Sequence, residues 1–95
     1  MSRKEAMMEK AEARLEQLNA EVKRLRAKAD EANADVKLEV QRELTDLDEQ
    51  RSLFEKRVDE LRDASEEALV DLSDGFERAW STLSNSLERA AARFK

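Results

Sequence analysis

The sequence predicts an all-α protein, in which a long coiled-coil-forming helix or helical hairpin is followed by a C-terminal amphipathic helix. Its 95 residues include no Pro and one Gly, so almost nothing enforces a turn or interrupts a helix. Apolar residues recur at steps of three and four from Met8 to Phe94, the spacing of one helical face. Charged residues make up 43% of the chain and aromatic residues 4%, which surrounds the apolar seam with solvated side chains and leaves little for a thick core.

The first element starts at Ser2, a capping residue whose capping box is completed by Glu5 three residues on. Its seam is Met8, Ala11, Leu15, Leu18, Val22, Leu25, Ala29, Ala32 and Val36, alternating steps of three and four as in a coiled coil. After Val36 the pattern stutters. Val40 and Leu44 follow at successive steps of four before Leu47, Phe54, Val58, Leu61 and Ser65 resume the alternation, with Arg51 in one seam position. A stutter locally unwinds a left-handed supercoil, so it marks a straightened zone or a bend.

Charge adds a topological clue. Residues 38–63 are acidic, with nine Asp or Glu against five Lys or Arg, whereas residues 1–37 are nearly balanced. The basic run Lys23-Arg24-Leu25-Arg26-Ala27-Lys28 and the acidic run Asp46-Leu47-Asp48-Glu49 lie symmetrically about residues 36 and 37. Folding back near Asn33-Ala34-Asp35 sets the two runs opposite each other, and an antiparallel homodimer crossing near the same residues does so equally well. Asp63-Ala64-Ser65-Glu66 offers a second break, where Asp or Ser begins a new helix. Ser73-Asp74-Gly75 offers a third, although one Gly costs a helix only about 1 kcal/mol. A three-helix bundle, a long hairpin and a continuous rod of ~140 Å all fit this pattern. The expected division is a charged heptad region over 1–72, bent near 33–36 or 63–65, and an amphipathic aromatic-bearing helix over 73–95.

The last element has the most apolar face. Ser65, Ala68, Leu72, Phe76, Ala79, Leu83, Leu87, Ala90 and Phe94 follow an eleven-residue period, about 3.67 residues per turn, and Leu69, Trp80 and Ala91 widen the stripe. Ser73, Ser81, Ser84 and Ser86 fall among the polar positions. Leu69, Leu72, Phe76, Trp80, Leu83, Leu87 and Phe94 are the expected interaction face. Leu15, Leu18, Val22, Leu25, Val36, Val40, Leu44, Leu47, Phe54, Val58 and Leu61 are the expected coiled-coil seam. A single amphipathic helix of this kind does not offset its ordering entropy, so its stripe needs a cover from the same chain, a second copy, a partner or a lipid surface.

Composition argues against catalysis. Without His, Cys or Tyr, the chain lacks the commonest general base, metal ligand and side-chain nucleophile. Carboxylate pairs such as Glu39 with Glu43 and Glu55 with Asp59 lie on the outer helix face, where nothing builds a dry pocket around them. Asp46, Asp48 and Gln50 have the alternate spacing of a calcium loop, but Arg51 stands where that loop requires Gly and Arg57 where it requires Glu. The Lys23–Lys28 run contains the seam residue Leu25 and lacks basic-region spacing, so it reads as a charged coiled-coil flank. The formal charge of −5 disfavours nucleic acid as a partner. No window reaches the ~20 apolar residues of a membrane span, and residues 1–5 lead directly into charged helix, so a cytoplasmic location is expected, with no metal or cofactor.

The stretch Ala68-Leu69-Val70-Asp71-Leu72-Ser73-Asp74-Gly75-Phe76-Glu77-Arg78-Ala79-Trp80, continuing to Leu83 and ending Ala92-Arg93-Phe94-Lys95, resembles the tail of a family of small bacterial coiled-coil proteins of proteobacteria and cyanobacteria. In that family an Asp-Leu pair, a Gly, an Ala-Trp pair and a terminal Arg-Phe follow a long charged helix; Leu69 stands where its members often carry a first Trp. The resemblance implies a cytoplasmic helical protein, sometimes linked to stress responses, and brings no catalytic residues. Period and composition also give a weaker similarity to apolipoprotein-type and phasin-type helices. The expected function is that of a non-enzymatic structural or interaction protein that self-associates through its seams as a homo-oligomer or binds another protein. The alternative is a peripheral protein of a membrane or apolar granule surface, acting through residues 65–94.

Overall fold

Ala32 and Asn33 are where the first helix stops and the second begins. The computed structural model describes residues 2–94, with α1 at Arg3–Glu31, α2 at Ala34–Asp63 and α3 at Glu66–Ala92. Each helix starts on a side-chain cap. Ser2 Oγ accepts from the Glu5 N–H at 3.1 Å, Asn33 Oδ1 from the Val36 N–H at 3.0 Å and Ser65 Oγ from the Ala68 N–H at 3.2 Å. These bonds satisfy donors that the first helical turn would otherwise leave unpaired.

Both connections are two residues long, Ala32-Asn33 and Ala64-Ser65, and all four residues are extended with negative φ. Any L-residue adopts that conformation, so the chain reverses twice with neither Gly nor Pro. Among the three breaks suggested by the sequence, the first two are used. The third is not, because α3 runs unbroken through Gly75. The division drawn between 72 and 73 therefore falls inside α3 and marks no structural boundary. The helices lie against one another as an antiparallel up-down-up bundle of 50 × 19 × 18 Å, and the continuous rod does not form.

The core is built on rows spaced by seven. Ala11, Leu18 and Leu25 on α1, Val40, Leu47, Phe54 and Leu61 on α2, and Leu69, Phe76, Leu83 and Ala90 on α3 are each 1% exposed or less. Val22, Ala29, Leu44 and Val58 are buried beside them. The eleven-residue stripe of α3 would bury Leu72, Ala79 and Leu87 as deeply as Phe76 and Leu83. They are half-buried instead, while Leu69, placed at the edge of that stripe, is fully covered. Packing on two neighbours at a shallow crossing angle favours the 3.5-residue repeat of a coiled coil, and here that requirement overrides the longer period. Ser86 is a second correction. Expected on the polar side, it is 1% exposed, and its hydroxyl accepts a hydrogen bond from Arg89 Nη2 at 3.0 Å.

Gly75 has room for a side chain. A Cβ built there would meet nothing nearer than Arg57 Nε at 4.0 Å, and none of the described residues has positive φ. Gly75→Ala therefore stabilises the bundle by about 1 kcal/mol through the entropy of the unfolded chain and helix propensity. On a domain of this size the gain is read as a rise in Tm of roughly 4–8 °C.

Candidate functional site

At mid-bundle the aromatic residues converge. Phe54 of α2 stacks on Phe76 of α3 with centroids 5.1 Å apart and meets Trp80 at 5.6 Å. Arg14 of α1 lies over both α3 rings, its guanidinium carbon 5.3 Å from the Phe76 centroid and 5.1 Å from that of Trp80. The same guanidinium donates to both carboxylate oxygens of Glu77 at 3.1 Å, while Lys10 Nζ donates to Oε1 at 2.8 Å. Five residues of α1 and α3 thus form one clamp: Arg14 donates to the carboxylate through Nη1 while its guanidinium lies against the two rings, and Lys10 holds the same carboxylate.

The Lys10 hydrogen bond, assisted by the bond and charge of Arg14, holds the Glu77 carboxyl below its ordinary value of 4.5 despite some opposing desolvation. A lowered carboxylate pKa in the folded chain gives stability that is fully present above 4.5 and lost as pH falls from there through the lowered value. Because the Glu77 side chain is 47% exposed, solvent screens the pair. Glu77→Gln therefore costs less than about 1 kcal/mol at pH 7, and the difference from wild type closes as the buffer is acidified below the ordinary carboxylate range. Urea melts at a series of pH values measure it.

The other interhelical ties are also polar. Arg26 on α1 reaches Asp48 on α2 at 2.9 Å, so the basic and acidic runs do face each other. Arg51, at the charged position of the α2 seam, donates to Asn19 Oδ1 at 3.4 Å and lies 3.5 Å from Asp48. Arg93 meets Glu43 at 3.2 Å, and Lys28 lies 5.8 Å from the Phe94 ring centroid. Lys4 Nζ donates to the Ala64 carbonyl at 2.8 Å, fastening the start of α1 to the α2–α3 turn.

Open grooves run between the helices. The α2–α3 groove, of about 270 Å³, is lined by Leu53, Arg57, Gly75, Arg78, Ala79 and Thr82. Gln50 also lines it, and its Oε1 is buried without a hydrogen-bond partner. The α1–α2 groove beside Arg26 and Asp48 is larger, about 520 Å³, and polar. Among large apolar side chains, Leu38, Leu53 and Val70 are more than half exposed.

The residues expected as an interaction face do converge, but inward. Leu69, Phe76 and Leu83 are fully buried, and Leu72, Trp80, Leu87 and Phe94 are half-buried against the same core. The expected coiled-coil seam meets them there. Leu18, Val22, Leu25, Val40, Leu44, Leu47, Phe54, Val58 and Leu61 are buried, with Leu15 and Val36 half-buried. The sequence reading missed the Arg14 clamp; Arg14 lies one residue before Leu15 on the seam, a flank position from which its guanidinium reaches the α3 rings. Lys95, which the resemblance includes, lies outside the described residues.

Among the described residues, no group of three or more Asp or Glu is placed to hold a metal ion, and no helix is long and apolar enough to cross a membrane. The fold and its seams define an antiparallel three-helix bundle of coiled-coil type. No family model, curated protein or solved structure matches the chain.

Proposed function

We propose that the protein is a non-enzymatic structural or interaction protein that associates with copies of itself through its coiled-coil seams. One observation carries the reading: the α1 and α2 seams face each other about a short turn in a polar register, with Arg26 ion-paired to Asp48 and Arg51 hydrogen-bonded to Asn19. That register is self-complementary, since a two-fold axis near residues 35–37 brings the same residues close together between two chains. The resemblance to small bacterial coiled-coil proteins supports a cytoplasmic, stress-related role for such an assembly. Light scattering across a concentration series tests it. The mass rises from one chain toward two, and helicity is indifferent to added lipid vesicles; a single-chain mass throughout defeats the reading.

A second reading is docking on a lipid or granule surface. It draws on α3, which brings Phe76, Trp80 and Leu83 to one side of a single helix, with Phe94 just past its end packed on the same core. Since that side is already covered by α1 and α2, docking requires the bundle to open. The polar side is net acidic, through Glu66, Glu67, Asp71, Asp74, Glu77 and Glu88, which favours neutral over anionic surfaces. A blue shift of Trp80 emission on zwitterionic vesicles is the expected signal.

A further inference from the structure

We infer that two copies associate by exchanging α1. The Ala32-Asn33 turn straightens, α1 and α2 fuse into one helix, and the α1 part of each copy packs on α2 and α3 of the other. This rests on the self-association reading and names the contacts that would carry it.

The turn itself permits the change. Glu31-Ala32-Asn33-Ala34-Asp35 contains no Gly or Pro, and Ala32 and Asn33 differ from helical residues in ψ alone, at 164° and 166°. Straightening forfeits the Asn33 cap and gains the backbone hydrogen bonds now missing across the turn. The apolar line carries on across the turn at helical steps: Ala29, Ala32, Val36 and Val40 follow at three, four and four, so the fused helix carries one seam, whose supercoil straightens at the stutter after Val36.

The packing says which helix leaves and what must receive it. The rings of Phe54, Phe76 and Trp80 join α2 to α3, whereas α1 supplies no ring and grips α3 through Lys10 and Arg14. Yet Leu18, Val22 and Leu25 of α1 are buried, so α1 cannot stay detached in water. A second copy offers the identical surface. Every contact of α1 is remade between chains, and the closed and exchanged forms differ chiefly in one turn and in the entropy of association. The fused helix over residues 3–63 is roughly 90 Å long, against 50 Å for the closed bundle.

Ala34→Pro separates the two forms. Residue 34 is the first of α2, where proline is well tolerated, and Asn33 before it already has the extended backbone that proline requires. In the fused helix the same proline lies mid-helix, where it loses a hydrogen bond and clashes with the preceding turn. Light scattering and small-angle X-ray scattering on the full chain are expected to show a dimer with a maximum dimension near 90 Å, weakened more than about 100-fold by Ala34→Pro. Glu66→Pro, at the corresponding first position of α3, leaves the dimer intact. If Ala34→Pro dimerises like wild type, exchange is wrong while self-association stands; if wild type remains a monomer at every concentration, both are wrong. Loss of the dimer in Glu66→Pro also rejects exchange at the first turn.

A distance measurement does not depend on the proline variants. Lys4 touches the Ala64 carbonyl, so the start of α1 and the end of α2 share one end of the bundle. A chain carrying Arg3→Cys and Asp63→Cys, with donor and acceptor dyes at these sole cysteines, transfers energy efficiently as a monomer. Diluted into excess unlabelled protein under dimerising conditions, it loses that transfer if α1 exchanges. Undiminished transfer in the dimer overturns the proposal.

Discussion

Phe54→Ala removes about 3–5 kcal/mol of stability, the largest loss expected from any single truncation in the bundle. Phe54 has no exposed surface and is the one ring on α2, stacked on Phe76 and tilted against Trp80. Deleting it forfeits the transfer of a whole ring from water and the ring–ring contacts, and it leaves a cavity at mid-bundle that the flanking helices close only in part. A domain of this length has a total margin of about 5–15 kcal/mol, so the variant melts far earlier than wild type or is partly unfolded at 25 °C. Urea denaturation followed by helicity measures the loss. A cost below about 1.5 kcal/mol would show that Phe54 is not at the centre of the core.

Leu83→Ala costs about 2–5 kcal/mol, while Leu87→Ala, one helical turn along, costs distinctly less. The contrast is the informative part. An eleven-residue stripe weights both leucines alike, whereas the seven-residue row through Leu69, Phe76, Leu83 and Ala90 buries Leu83 completely and leaves Leu87 at its edge. Leu38→Ala supplies the baseline, since that side chain is 53% exposed and its truncation falls within about 0.5 kcal/mol of wild type. Equal losses at 83 and 87 would restore the longer period.

Most of the architecture was readable because it rests on local rules. The seam residues of α1 and α2 followed from their spacing, and the facing of Arg26 and Asp48 followed from the symmetry of two charge runs. The bends at Asn33 and Ser65 were among the candidate breaks, since Asn and Ser are the side chains that cap a new helix. Other features depend on which neighbours a helix meets, and one helix read alone does not reveal that. Ser73-Asp74-Gly75 was a third candidate break, and Gly75 sits inside α3, where its propensity penalty is small beside the burial on either side. Ser86 looked polar and is buried, because the α3 surface that must be covered widens once two helices press on it. Leu69, Trp80 and Phe94 read as part of a face that needs a cover from the same chain, a second copy, a partner or a lipid surface, and the cover is the chain's own preceding hairpin.

The two-residue connections bear on how fast the molecule assembles. Each helix finds its neighbour through the shortest excursion the backbone allows, so little loop-closure entropy opposes either reversal. Such local topology is typical of helical proteins that fold within microseconds to milliseconds, and neither hairpin has to wait for a distant segment.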